Sequence, residues 1–203
     1  MKLMTATIMT SLMLMTTTAK AVITPGTSQV SLSLGASNPL SYNDVDGQRM
    51  EFGQTGPSLG FQALYQFLPN LAVGADLNFK RLGDRDFRTG RGPVQVESSA
   101  WTMLAVGRGD FLPASDLRPY VMMGLGLGGV KREVRYAFTP AFDRDTRSGG
   151  VALALGSGID FDISPSIVAG AELRWNYIDT DYSQVGTNSV RTLDLNFKVG
   201  YKF

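Results

Sequence analysis

Apolar and polar residues alternate with period two along most of this chain. The clearest run is 192–203, where Leu193, Leu195, Phe197, Val199, Tyr201 and Phe203 are separated by Asp194, Asn196, Lys198, Gly200 and Lys202. Side chains alternate across a β-strand, so this run predicts one strand with an oily face and a polar, charged face. It is longer than the about 5–6 residues usual in soluble proteins. It matches the roughly 9–11 residues with which a tilted strand crosses a bilayer.

Seven earlier segments repeat the pattern. Residues 27–36 set Val30, Leu32, Leu34 and Ala36 against Ser31, Ser33 and Gly35, and 58–67 set Leu59, Phe61, Ala63, Tyr65 and Phe67 against Gly60, Gln62 and Gln66. A Pro69-Asn70 turn leads into 71–81, with Leu71, Val73, Ala75, Leu77 and Phe79 outward and Gly74, Asp76, Asn78 and Lys80 inward. Residues 94–108 are less regular: Val94, Val96, Ala100, Leu104 and Val106 read as the lipid face, leaving Gln95, Glu97, Ser99, Trp101 and Met103 inside. The run 120–134 alternates Val121, Met123, Leu125 and Leu127 with Gly124, Gly126 and Gly128. Residues 150–163 and 167–177 continue in the same way, with Asp160, Asp162, Glu172 and Arg174 on their polar faces.

Long polar stretches at 37–54, 83–93, 135–149 and 178–189 alternate with short turns at 69–70, 113–119 and 164–166. This alternation predicts an even number of antiparallel strands with long loops at one end and tight turns at the other. Apolar-face aromatics cluster near the segment ends: Phe67, Phe161, Tyr201 and Phe203 toward the turns, and Phe79, Trp175 and Tyr177 toward the loops. Two such girdles suit the two interfaces of a bilayer. A soluble eight-stranded barrel of lipocalin type would place its apolar face inside and its charges outside.

Residues 1–21 read as a cleaved secretory signal, with Lys2, an apolar stretch over 3–15 and Ala19-Lys20-Ala21 as the cleavage site, so that Val22 opens the mature chain. Losing Lys2 and Lys20 takes the formal charge from +1 to −1, which gives no reason to expect nucleic acid as a partner. Cysteine is absent, so the chain offers no disulfide and no lipoprotein anchor. After the signal no apolar run approaches the about 20 residues of a membrane helix. A membrane form of this chain must therefore close into a barrel, because open sheet edges leave backbone groups unsatisfied in lipid.

The ending Phe197, Val199, Tyr201, Phe203 resembles the C-terminal assembly signal of bacterial outer-membrane barrels. From Val22 to Phe203 the layout resembles the small eight-stranded outer-membrane barrels, the group containing the OmpA transmembrane domain and the opacity-type surface proteins. The resemblance implies an all-β, eight-stranded antiparallel transmembrane β-barrel, an up-and-down meander over residues 22–203. It also implies, as partners, outer-membrane lipid and lipopolysaccharide, the barrel-assembly machinery during biogenesis, and a host or cell-surface ligand at the loops. No separate peptidoglycan-binding domain is expected after the barrel. The expected role is non-enzymatic, in envelope integrity or surface contact. A narrow channel for small solutes and a lipid-modifying enzyme are the rival classes.

Candidate chemistry is sparse. Gly124 to Gly129 contains G-x-G-x-x-G, but a strand rather than a helix follows, against a nucleotide site. Histidine is absent and G-x-S-x-G does not occur, so the serine–histidine machinery of outer-membrane lipid hydrolases cannot be assembled. Asp160 and Asp162 on one polar face read better as ion-paired residues than as a catalytic pair. The interior of an eight-stranded barrel is just wide enough to be filled by side chains. Asp76, Lys80, Glu172, Arg174, Asp194 and Lys198 are therefore expected to form a lumen charge network, with Arg174 paired to Asp194 across adjacent strands. The long loops carry four Asp-x-Asp pairs (Asp44 and Asp46, Asp84 and Asp86, Asp143 and Asp145, Asp179 and Asp181), which a divalent cation could bridge but which turn preference already explains. Arg85, Arg88, Arg91, Arg135, Arg144 and Arg147 could meet lipopolysaccharide phosphates, although interleaved Asp makes a mixed-charge surface the simpler reading. No cofactor is expected.

Overall fold

The computed structural model describes residues 25–40, 42–45, 48–51, 54–89, 92–136, 144–182 and 187–203. Residues 1–21, expected to be a cleaved signal, lie outside the described residues. In chain order the strands are β1 (Ser28–Pro39), β2 (Tyr42–Val45), β3 (Gln48–Glu51), β4 (Gly56–Leu68), β5 (Leu71–Thr89), β6 (Gly92–Asp110), β7 (Leu117–Tyr136), β8 (Arg144–Asp162), β9 (Ile167–Tyr182) and β10 (Thr187–Lys202). β1 and β4 to β10 close into one antiparallel barrel of eight staves. Each stave pairs with the one before and the one after it, and β10 closes the ring by pairing with β1 from Gln29↔Lys202 to Pro39↔Thr192. Closure leaves no edge strand, which the alternating pattern required of a sheet with an apolar outer face.

The two faces are inverted relative to a soluble protein. Leu32, Phe61, Val73, Leu125, Leu155 and Phe197 are among the many exposed apolar side chains, while Asp76, Lys80, Arg108, Glu172, Arg174 and Asp194 are buried. Trp175 stacks on Tyr177 toward the loop end and Tyr201 on Phe203 toward the turn end, with ring centroids 6.3 Å apart in both pairs.

Three expectations need correction. First, the facing of β6 is the reverse of the one read from its apolar residues. Trp101 and Met103 are 41% and 53% exposed, whereas Val96, Ala100, Leu104 and Val106 are buried in the lumen. The decisive residues are Arg108 and Asp110, which share the parity of Leu104 and are themselves buried, so that face could not meet lipid. Second, much of what read as loop is strand: β5 continues to Thr89, β6 starts at Gly92, β7 reaches Tyr136 and β8 starts at Arg144. The sequence of these extensions is largely polar, so the period-two signal fades although the ladder persists. Gly83, at φ 68°, sits in a bulge between Arg81 and Asp84 that lets the β5–β6 ladder continue. Third, the first polar stretch contains a small hairpin of its own, in which β2 pairs with β3.

Candidate functional site

The interior is a column of buried ion pairs. Its described members are six cations (Lys80, Arg108, Arg118, Arg174, Lys198, Lys202) and six anions (Asp76, Asp110, Asp160, Asp162, Glu172, Asp194), so this set is neutral as a whole. Near the loop end, Lys80 lies 2.6 Å from Asp194 and donates to Thr192 at 3.0 Å, while Ser37 and Asn176 donate to Asp194 at 2.6 and 2.9 Å. In the middle, Arg174 spans Asp76 at 2.6 Å and Glu172 at 2.7 Å. The Tyr120 hydroxyl donates to Glu172 and accepts from Lys198, both at 2.8 Å. The Arg108 guanidinium lies 3.8 Å and the Lys198 ammonium 4.1 Å from the Tyr120 ring centroid, a double cation–π contact. Toward the turn end Asp160 meets Arg108 at 2.6 Å and Lys198 at 2.9 Å, and Asp162 meets Arg118 at 2.5 Å and Lys202 at 2.8 Å.

Of the residues expected in a lumen network, Asp76, Lys80, Glu172, Arg174, Asp194 and Lys198 all lie buried on one inner surface. The strand register places Asp194 opposite Arg174, as counted from the loop. The expected ion pair between those two does not form: Arg174 reaches across the barrel to Asp76 on β5, and Asp194 takes Lys80 from that same β5 strand. In so narrow a barrel, partners across the lumen compete with neighbours along the sheet, and a guanidinium held bidentately by Asp76 has the better geometry. The sequence pattern left Arg108, Asp110, Arg118, Tyr120 and Lys202 without a role. The parity of Arg108 and Asp110 was the available signal for the first two. Gly158 makes room for the hub, since a Cβ there would stand 2.4 Å from the Tyr120 hydroxyl.

The loop-borne candidates are dispersed. Asp46, Asp143 and Arg91 lie outside the described residues or carry no described side chain. Asp44 falls on β2 opposite Arg49, Asp84 and Asp86 fall on β5 opposite Glu97 and Gln95, Asp145 on β8 opposite Glu133, and Asp179 and Asp181 on β9. Among the described residues no group of three or more metal-ligating side chains gathers. Arg85 and Arg88 belong to β5, Arg144 and Arg147 to β8. Arg135 on β7 donates to Glu133 at 2.9 Å, and Lys131 also bonds Glu133. These two cations, Lys131 first, hold the Glu133 carboxyl below the usual carboxylate range.

Phe197, Val199, Tyr201 and Phe203, expected to form an assembly signal, make a continuous exposed stripe on the outer face of β10 and the residue after it.

The same architecture occurs in solved bacterial outer-membrane proteins. The chain is 18% identical to Ail, the attachment invasion locus protein of Yersinia pestis, solved with the heparin analogue sucrose octasulfate; the match covers 89% of this chain and 100% of that one at TM-score 0.55. It is 19% identical to Neisserial surface protein A, covering 88% and 97% at TM-score 0.53. A major outer membrane protein of Thermus thermophilus matches at 15% identity, 87% and 99% coverage and TM-score 0.57. At these identities the likeness is one of fold. No curated protein sequence is similar enough to count as a relative. The domain family described as "Outer membrane protein beta-barrel domain" matches residues 7–203, and the chain belongs to that family of bacterial outer-membrane barrels.

Proposed function

We propose that this protein is a non-enzymatic outer-membrane surface protein, acting in envelope integrity or contact with other surfaces through its extracellular end. The observation that carries this reading is the filled lumen. The polar void bounded by Gln62, Asp76, Glu172, Arg174, Asn196 and Lys198 has a volume of about 10 Å³, room for roughly one water. Among the described residues, ion-paired side chains surround it within the lumen. That argues against the channel reading, and the missing histidine argues against the lipid-hydrolase one.

The work is then left to the exterior. β5, β6, β7 and β8 run 19 to 20 residues, about twice what a tilted strand needs to cross the membrane, so two tall hairpins stand above the bilayer as rigid supports for their loops. Ail, a barrel of the same fold, was solved in complex with a sulfated sugar, which supports an extracellular end suited to ligands without assigning one to this chain. The test is a deletion strain complemented by wild-type and loop-swapped versions. Loss of adhesion or of the permeability barrier, restored by wild-type alone, supports the reading. Full restoration by every loop swap would remove the loops from the account.

A further inference from the structure

Toward the loop end, above the charge column, the lining of the lumen changes character. The cross-strand ladder climbs as it circles the barrel: followed from Val30 through Ala75, Leu125 and Tyr177, it returns to β1 at Leu40, ten residues closer to the loop end. Each stave is therefore displaced from the last by a little more than one residue, the stagger that a closed barrel requires. With that stagger, Leu82 of β5, Ala100 of β6, Val130 of β7, Ala152 of β8, Ile178 of β9 and Val190 of β10 reach nearly the same level, on the loop side of the Lys80–Asp194 pair. The other two staves bring Pro39 and Gly56 to it, neither with a polar side chain. None of the six apolar side chains is more than 4% exposed, and Leu82, Ala100, Val130, Ala152, Ile178 and Val190 belong to one contact cluster. Gly128 lets the ring tighten, since a Cβ there would stand 3.1 Å from both the Ala152 Cβ and the Ile178 Cγ2.

Polar groups on either side of the ring make the opposite demand. On its turn side the Asn78 amide and the Thr102 hydroxyl, paired in register across β5 and β6, have no hydrogen-bond partner among the described residues; on its loop side the same holds for the hydroxyls of Ser98 and Thr180. All four side chains are buried. Buried polar groups left without a protein partner are met by water, so water is called for below the ring and above it, while no side chain of the ring can hold any. An apolar constriction of this kind excludes water by dewetting. We infer that the ring is a dry septum, the level at which the lumen is closed to water and small ions arriving from the loop end. The ion pairs below it fill the lumen but stay polar, and the septum keeps them apart from the outside solvent. The septum deepens the closed-barrel reading, on which it rests, by assigning the closure to named residues.

The chain has no cysteine, so Thr102→Cys places a single thiol just beneath the ring, where the native hydroxyl has no hydrogen bond to lose. Silver ion, a thiol-reactive cation small enough to follow water, is added to the purified, folded protein, and the thiol left free is counted after unfolding. With the native ring the thiol should react slowly. Leu82→Ser/Ile178→Ser should speed the reaction by roughly tenfold or more. Val130→Thr/Val190→Thr, which keeps the shape of the ring and adds only hydroxyls, should act in the same direction. Asp194→Asn, which weakens the ion pair beneath the ring, should leave the reaction slow. Heat-modifiable gel mobility checks that each variant is folded, and the threonine pair carries the test if the serine pair is not. A fast reaction with the native ring, a slow one in the folded ring variants, or a rise with Asp194→Asn equal to theirs overturns the septum. The deletion and loop-swapped strains test the surface role without touching the ring, so either reading can fail while the other stands.

Discussion

Inside the barrel the Arg174 guanidinium sits 2.6 Å from Asp76 and 2.7 Å from Glu172; on the outer wall, Arg81 stands 3.8 Å from Glu97 with 59% of its side chain in solvent. The interior charges were removed from water at a cost that only close, multiply hydrogen-bonded partners offset. Their neutrality follows from that cost. The exterior pair stays partly in solvent, where an ion pair contributes little. The contrast teaches where function can reside. The interior charges are committed to one another, while the outer wall keeps its ionic groups partly in solvent.

Mutations can break this contrast in order of size. Asp160→Ala leaves Arg108 and Lys198 buried without the acid they share; it should cost about 3–5 kcal/mol of unfolding free energy, measured by urea titration in lipid vesicles. Gly158→Val drives a methyl toward the Tyr120 hydroxyl and the Ala171 carbonyl. That overpacking should cost about 1–3 kcal/mol in the same titration. Glu97→Gln, on the outer rung, should change stability by less than about 1 kcal/mol. An outer-wall change as costly as Asp160→Ala would abolish the distinction. Trp101 supplies a check that needs no stability measurement: with Trp175→Phe as background, brominated lipid chains should quench its emission. Absence of quenching would return Trp101 to the lumen.

Much of the barrel is legible in the alternation of β1, β4, β5, β7, β8, β9 and β10, because a wall between lipid and a polar lumen forces one residue type onto each face. Alternation fails on β6, whose inner face carries Val96, Leu104 and Val106, since a lumen tolerates apolar side chains more readily than lipid tolerates charge. Reading Arg108 and Asp110 first would have given the right face. The six members Asp76, Lys80, Glu172, Arg174, Asp194 and Lys198 follow from parity, and the Arg174–Asp194 register from loop length. The partners do not, because Asp76 approaches Arg174 across the lumen, a contact to which neither sequence separation nor sheet order points. The outer rung of Phe79, Trp101, Gly129 and Gly149 needed the register of four strands at once.

If the interior is a plug of ion-paired side chains, the folded barrel does not conduct. Planar-bilayer recording from the purified, folded protein tests this most directly. No stable conductance is expected for the wild type, because side chains fill the passage from Lys80 to Lys202. A stable, large conductance from the wild-type barrel would contradict it.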